Sequence, residues 1–427
     1  MYPQLNQPYT KHQPNHSERL KSNTNLLRTH MLKTLPSKLP DVGSTIFTEM
    51  SALALQCQAI NLGQGFPDYP PPSALIQAVA DAMLQGHNQY APMSGVPELR
   101  SAIASKVLAQ HGISYSADTE ITVTSGATEA LMSSFLALTH PGDEVLLIDP
   151  SYDLYAPSIR LAGATAVRIP MRPPCTDDPQ FRIDWNRIAD AITDRTRMLV
   201  LNFPHNPTGL TLKSEDLDAL EAIVSRHPIL LLSDEAYEHI VFDGQAHVSP
   251  IARPLLAERT ILVSSFGKTF HATGWKMGYC CAPARVMTEI RKVHQFTVFS
   301  VSTPMQFGIA RYLKESNTLA ELPGFYQKKR DRLYAGLQDT VLRPLHSEGT
   351  FFLVVDTSAL GSLPEKELAI QLTHDIGVGS IPLSAFYPDP TQPEANHQLL
   401  RLCFAKLDAT LDEALDRLRG LRPVARG

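Results

Sequence analysis

The sequence predicts an α/β fold, with a large domain built on a mostly parallel seven-stranded sheet between helices, plus a smaller α+β domain. Three observations predict it. Seven short apolar runs alternate with stretches of helical periodicity between about residues 95 and 281, the pattern of strands joined through helices. Several of these runs are apolar on both faces, as strands covered by helices on each side must be. After about residue 315 the pattern changes to charged helical stretches that precede two isolated apolar runs.

Taken in order, the run 97–108 has apolar residues near helical spacing, and Gly112 is a natural stop because glycine accepts the left-handed conformation that ends helices. Strands are expected at 120–124, 144–149, 165–169, 197–202, 229–234, 260–264 and 277–281. Between the fourth and fifth, Ser214 is the expected N-cap of a helix reaching Val224, its hydroxyl accepting an otherwise unpaired backbone N–H. The smaller domain gains strands at 350–355 and 399–404. The expected division is a disordered leader at 1–38, an N-terminal arm at 39–75 joining the small domain, a large domain at 76–315 and a small domain at 316–427. The leader is rich in Asn, Gln, Pro, Ser, Lys and His with Glu18 its only acid. It reads as a solvated tail or an over-long start, with a transit peptide as the alternative.

Composition narrows the function classes. Of 427 residues, 43% are hydrophobic and 19% charged, and 38 Lys and Arg nearly balance 43 Asp and Glu, for a net charge of -5. That balance gives no global electrostatic case for a nucleic-acid or membrane partner. No apolar run approaches the ~20 residues of a membrane-spanning helix. No period of 20 to 50 residues repeats. The cysteines Cys57, Cys175, Cys280, Cys281 and Cys403 are scattered without a C-x-x-C pair. They point to neither a disulfide framework nor a metal site, and fit a reducing cytoplasm. Cys280 and Cys281 read as part of a buried strand.

Ligands of open α/β sheets bind outside the carboxyl ends of the strands. Four expected strand ends carry unusual polar residues. Ser125-Gly-Ala-Thr128 opens a helix whose backbone N–H groups and dipole suit an anion, although a glycine at such a turn can be purely structural. Asn206, in Asn202-Phe-Pro-His-Asn-Pro-Thr-Gly209, is either a turn residue or a hydrogen-bonding group facing a ligand. Asp234, followed by Glu235-Ala-Tyr237, is either a helix N-cap or a buried carboxylate needing a partner. Lys268 follows an apolar strand; it is either a surface residue or an amine whose pKa desolvation lowers, and such an amine suits Schiff-base chemistry. An anion cradle, an acid, a phenol, an amide and a lysine together suit a phosphorylated aldehyde cofactor.

Asn206-Pro-Thr-Gly209, Asp234-Glu-Ala-Tyr237, Ser265-Phe-Gly-Lys-Thr-Phe270 and Gly274-Trp-Lys-Met-Gly278 resemble the class I aminotransferases among the fold-type I pyridoxal-phosphate enzymes. The resemblance spans about 40–420. Asn61-Leu-Gly-Gln-Gly-Phe-Pro-Asp68, Asn88-Gln-Tyr-Ala91 and the stretch 43–54 are similar to the methionine and kynurenine–glutamine branch. The resemblance implies pyridoxal 5'-phosphate as cofactor, a homodimer with shared active sites, and amino acids and 2-oxo acids as substrates. Lys268 would carry the cofactor covalently and then shuttle the substrate Cα proton. Asp234 would keep the pyridine nitrogen protonated, while Tyr237 and Asn206 would hydrogen-bond the ring oxygen. Tyr152 would stack on the ring, though a core aromatic is an equal reading of the pattern alone. Ser125, Gly126, Ala127, Ser265 and Lys276 would hold the phosphate. Lys276 stands where relatives often have Arg, which keeps the charge but loses the bidentate fork. Tyr90 would reach the phosphate of the neighbouring subunit.

Arg401, inside an apolar strand, needs an anion. The resemblance supplies the substrate α-carboxylate, and a structural salt bridge is the alternative. The Gly65 backbone would approach the same carboxylate. Where relatives that take aspartate present a second arginine, the stretch 293–300 has none and carries Phe299. With Phe47 it implies an apolar side-chain pocket, hence methionine, aromatic or other neutral donors rather than aspartate. Two further readings are a cysteine-S-conjugate β-lyase or kynurenine–oxoglutarate aminotransferase on the same scaffold, and a non-enzymatic sensor domain. The last would need a helix-turn-helix module that the N-terminal segment is too short to supply.

Overall fold

The computed structural model describes residues 35–424; residues 1–34 of the expected leader lie outside the described residues. Helix Ile46–Gln56 starts at Thr45, whose hydroxyl accepts the Thr48 backbone N–H, and leads into β1 (Ile60–Asn61). The large sheet contains β2 (Ile121–Thr124), β3 (Glu144–Asp149), β4 (Thr165–Pro170), β5 (Thr196–Asn202), β6 (Leu230–Asp234), β7 (Thr260–Ser265) and β8 (Gly278–Cys281). Five short strands follow, β9 (Arg343–Pro344), β10 (Phe352–Asp356), β11 (Val378–Gly379), β12 (Ile381–Pro382) and β13 (Leu399–Cys403).

The large sheet runs β2-β8-β7-β6-β5-β3-β4. The pairs from β4 through β7 are parallel, and β8 is antiparallel to both of its neighbours. β2 and β7 therefore point the same way, and the carboxyl ends of β2, β5, β6 and β7 lie along one edge. Period-two alternation explains why both faces are apolar. Val145 and Leu147 pack with Leu131 and Phe135 of helix Gly126–Leu138 and Ile290 of helix Ala284–Thr297. Leu146 and Ile148 point to the other face, into a cluster with Leu217 and Leu220 of helix Ser214–Arg226. Each such fully buried side chain contributes roughly 1.5–3 kcal/mol, which holds the strand ends in register.

β12, β13, β10 and β9 form a four-stranded antiparallel sheet, and β1 pairs in parallel with β11. Helix Pro97–His111 ends at Gly112, which is left-handed at φ +71°. One expected cap differs. Ser214 is the first residue of its helix and Lys213 the N-cap, because the Asp216 carboxylate accepts the Lys213 backbone N–H at 2.7 Å and fixes the start one residue earlier.

Candidate active site

The four strand ends meet in one cavity with about 340 Å³ of free space. At the end of β6, Asp234 is 4% exposed. The Tyr155 hydroxyl donates to its Oδ2 at 2.7 Å and the Ala236 backbone N–H to its Oδ1 at 3.2 Å. Asn202, closing the adjacent β5, fixes the turn by donating from Nδ2 to the Asp234 carbonyl at 3.0 Å. Desolvation pushes the carboxyl up to about 6, against the pull of these hydrogen bonds. Asp234 is therefore no helix cap. It is a buried acid that a cationic ring nitrogen would stabilise in its ionised form.

Lys268 lies on the short helix Phe266–Thr269 after β7. Its Nζ donates to the Gly65 carbonyl at 2.9 Å and sits 5.3 Å from the Phe351 ring centroid. Burial lowers its pKa to about 8, so the neutral amine is accessible close to neutral pH. Tyr237 is buried, edge-on to Phe351 at 5.1 Å, and burial raises its phenol well above the usual value.

Arg401 comes from β13 and is 1% exposed. One terminal nitrogen donates to Asn206 Oδ1 at 2.7 Å and the other to the Gly63 carbonyl at 3.0 Å, while Nε has no hydrogen-bond partner. The guanidinium carbon lies 3.8 Å from the Phe352 ring centroid and 5.3 Å from that of Phe47. Burial lowers the pKa to about 10. No carboxylate among the described residues forms an ion pair with it, so the salt-bridge alternative is not what the fold builds. A buried cation without a contacting carboxylate is set for an anionic ligand, with Asp153 acting on it only at longer range.

The expected anion cradle is equally local. Gly126, at φ +70°, opens helix Gly126–Leu138 directly after β2. Lys276 reaches over it and donates from Nζ to Thr128 Oγ1 at 3.3 Å. Gly278 of β8 lets the two backbones touch, because a Cβ there would stand 2.7 Å from the Gly126 carbonyl carbon and 2.8 Å from the Ala127 nitrogen. Backbone N–H groups at a helix start, with an ammonium beside them, form an anion site.

All but three of the expected site residues line this cavity: Phe47, Gly65, Gly126, Ala127, Tyr152, Asn206, Asp234, Tyr237, Ser265, Lys268, Lys276 and Arg401. Ser125 does not; its backbone N–H donates to Glu129 Oε2 at 3.1 Å. Tyr90 and Phe299 are 83% and 40% exposed and pack edge-to-face with each other at 5.3 Å, outside the cavity. Sequence reasoning missed Tyr155, Thr128 and Phe352. Tyr155 lies three residues beyond Tyr152 in a short helix, and nothing in the local pattern distinguishes which tyrosine faces Asp234.

Residues 58–418 match the family model of class I and II aminotransferases. The chain is 50% identical over 386 residues to methionine aminotransferase of Escherichia coli, covering 90% of this chain and 98% of that protein. The solved E. coli structure identified as having a methionine aminotransferase function superposes with a TM-score of 0.87 over 91% of this chain and 100% of that one. The Mycobacterium tuberculosis N-succinyldiaminopimelate aminotransferase structure is 41% identical, with a TM-score of 0.86, over 90% of this chain and 99% of that one. Human kynurenine–oxoglutarate transaminase 1 is 33% identical over 417 residues, 91% of this chain and 99% of that protein.

Proposed function

The chain belongs to the class I and II aminotransferases, and from that premise we propose that it uses pyridoxal 5'-phosphate to move the amino group of methionine, or of an aromatic or other neutral amino acid, to a 2-oxo acid. The observation that carries this reading is Arg401, a buried guanidinium with an unpartnered Nε and no ion pair among the described residues, facing the same cavity as a buried amine and a buried carboxylate. The residues fit the cofactor at three points: an anion cradle at Gly126 and Lys276, an acid at Asp234 and an amine at Lys268.

When bound, the cofactor supplies a conjugated cationic ring that accepts the electron pair left at the substrate Cα. The protein does the rest. Lys268 holds the cofactor and, once released, takes the Cα proton on Nζ and returns it. Asp234 keeps a proton on the ring nitrogen, and Tyr155 positions Asp234. Asn206 and Tyr237 would donate hydrogen bonds to the ring oxygen, and Tyr152 would cover the ring face. Arg401 grips the substrate α-carboxylate, a charge-assisted bond that also orients Cα toward Lys268. Phe47 offers the donor side chain an apolar wall.

Tyr90 and Phe299 complete the site of a second copy in a homodimer. The large domain at 76–315 carries the cofactor, and the small domain at 316–427 brings Arg401. Cytoplasmic residence fits five cysteines that are all free thiols; no described helix is long and apolar enough to cross a membrane.

The test is spectral. Adding L-methionine to the cofactor-loaded protein should shift the cofactor absorbance fully, whereas L-aspartate should do so far more slowly. Equal conversion by L-aspartate contradicts the apolar pocket. The similarity to kynurenine transaminases favours kynurenine as a second donor, and release of pyruvate and ammonia from a cysteine S-conjugate without any oxo acid would establish β-lyase activity. Preferred turnover of N-succinyldiaminopimelate would overturn the neutral-donor reading.

A further inference from the structure

Glu235 and Glu238 adjoin Asp234 and Tyr237 in sequence but do not line the catalytic cavity. They belong to a separate buried polar cluster with Lys106, His111, His239 and His247. Glu235 accepts hydrogen bonds from the hydroxyls of Ser233 at 2.8 Å and Ser249 at 2.6 Å, and faces His247 Nε2 at 2.6 Å. Glu238 accepts from the Tyr279 hydroxyl at 3.1 Å and from the Ser264 hydroxyl, and pairs with Lys106 Nζ at 2.7 Å. Of the two carboxylates, Glu238 pairs with the lysine and Glu235 with serine hydroxyls and an imidazole.

The imidazoles are the unusual part. The His239 side chain is 9% exposed, its Nε2 stands 3.7 Å from Glu238 Oε1, and it has no hydrogen-bond partner. His111 Nε2 is also buried and unpartnered. One ligand atom each from His111, Glu235 and Glu238 lie within 4.8 Å of one another, the one such group among the described residues. Donors bound at about 2.0–2.2 Å to one tetrahedral ion stand about 3.3–3.6 Å apart, so closing the set requires its side chains to draw in by up to about an ångström. A cavity of about 850 Å³, lined by Lys106, Gln110, Glu238, His239 and His247, leads to it.

We propose that His111, Glu235 and Glu238 form a binding site for a divalent transition-metal ion of the zinc type, with His239, 3.7 Å from Glu238, as the neighbouring imidazole that could add a fourth donor. Imidazole together with carboxylate selects zinc over magnesium or calcium. The serine hydroxyls and His247 hold Glu235 in place as outer partners. Lys106 is the counter-charge that the ion displaces, and the cavity has room for its ammonium. The ligands come from 111 and from 235–239, far apart in sequence, which is why no spacing motif announces the site.

Zn²⁺ alone is the probe, titrated into the cofactor-loaded full-length protein in metal-free buffer. One ion per chain should bind and raise the thermal midpoint, with chelator reversing the rise. His111→Gln and His239→Gln should each weaken Zn²⁺ binding at least about tenfold, since even loss of an outer partner costs 10–100-fold. Lys106→Met should tighten it. The Co²⁺-loaded wild-type protein decides independently of any variant: its visible bands should be those of nitrogen and oxygen ligation. No saturable binding, unchanged affinity in both histidine variants, weaker binding in Lys106→Met, or a thiolate charge-transfer band with Co²⁺ would each overturn the proposal.

Discussion

Two residues carry the proposed chemistry, and their environments make separate predictions. Burial lowers Lys268 to about 8, and only its neutral amine attacks an aldehyde. The rate at which cofactor-free protein takes up pyridoxal phosphate should therefore rise with pH up to about 8 and then level off; a rise continuing toward 10.5, the ordinary lysine value, would show that the amine is not desolvated. Lys268→Ala should retain the cofactor non-covalently and lose at least ~10³-fold in turnover, on the scale of losing a positioned general base. Arg401→Lys keeps a charge but loses the fork that spans Asn206 and the Gly63 carbonyl. Losing one charged hydrogen bond costs about 1.5–3 kcal/mol, so kcat/KM for L-methionine should fall about tenfold to a hundredfold, read by steady-state kinetics. Lys268 and Asp234 stood out as polar residues at the ends of apolar runs, Asn206 in the turn after one, and Arg401 as a charge inside one, positions that are costly without a partner. Tyr155 was not, since its meaning depends on which neighbour reaches Asp234.

At the scale of elements, β8 and the start of helix Gly126–Leu138 are held together by the missing side chain of Gly278. A methyl group there would press on the backbone at Gly126 and Ala127, and backbone cannot swing aside as a side-chain tip does. Gly278→Ala should cost about 1–3 kcal/mol by overpacking and also loosen the phosphate cradle, seen as a lower thermal midpoint together with a higher Kd for pyridoxal phosphate. Loss of stability without loss of cofactor affinity would separate the two elements. Strands such as β3 and β6 were readable from their two-faced apolar runs, because burial on both sides leaves few polar positions to confuse the period, whereas β2 alternates with Thr and β4 is only partly buried. Strand order was not readable, and neither was the antiparallel direction of β8, since both depend on pairing across the chain. Ser214 shows a further limit: the hydroxyl beside the helix start was visible, but the cap moved to Lys213 through the Asp216 carboxylate.

For the whole molecule, Tyr90 and Phe299 are large, exposed and paired outside the cavity, and the proposed homodimer would place them in the partner's site. Light scattering should give twice the 47.1 kDa chain mass, and Tyr90→Ala should weaken cofactor retention while leaving its own fold intact. A monomer with full activity would remove the shared-site reading. The resemblance carried by the motifs brought Arg401, from the four-stranded sheet, to the same site as Lys268, from the large sheet; composition alone could not have joined them. The most direct measurement is borohydride reduction of the protein loaded with pyridoxal phosphate, followed by peptide mass mapping. The pyridoxyl group should be found on the peptide that contains Lys268, at Lys268 itself. Its recovery on Lys276 or another lysine, or its absence from the protein, would contradict the assignment on which the proposed chemistry rests.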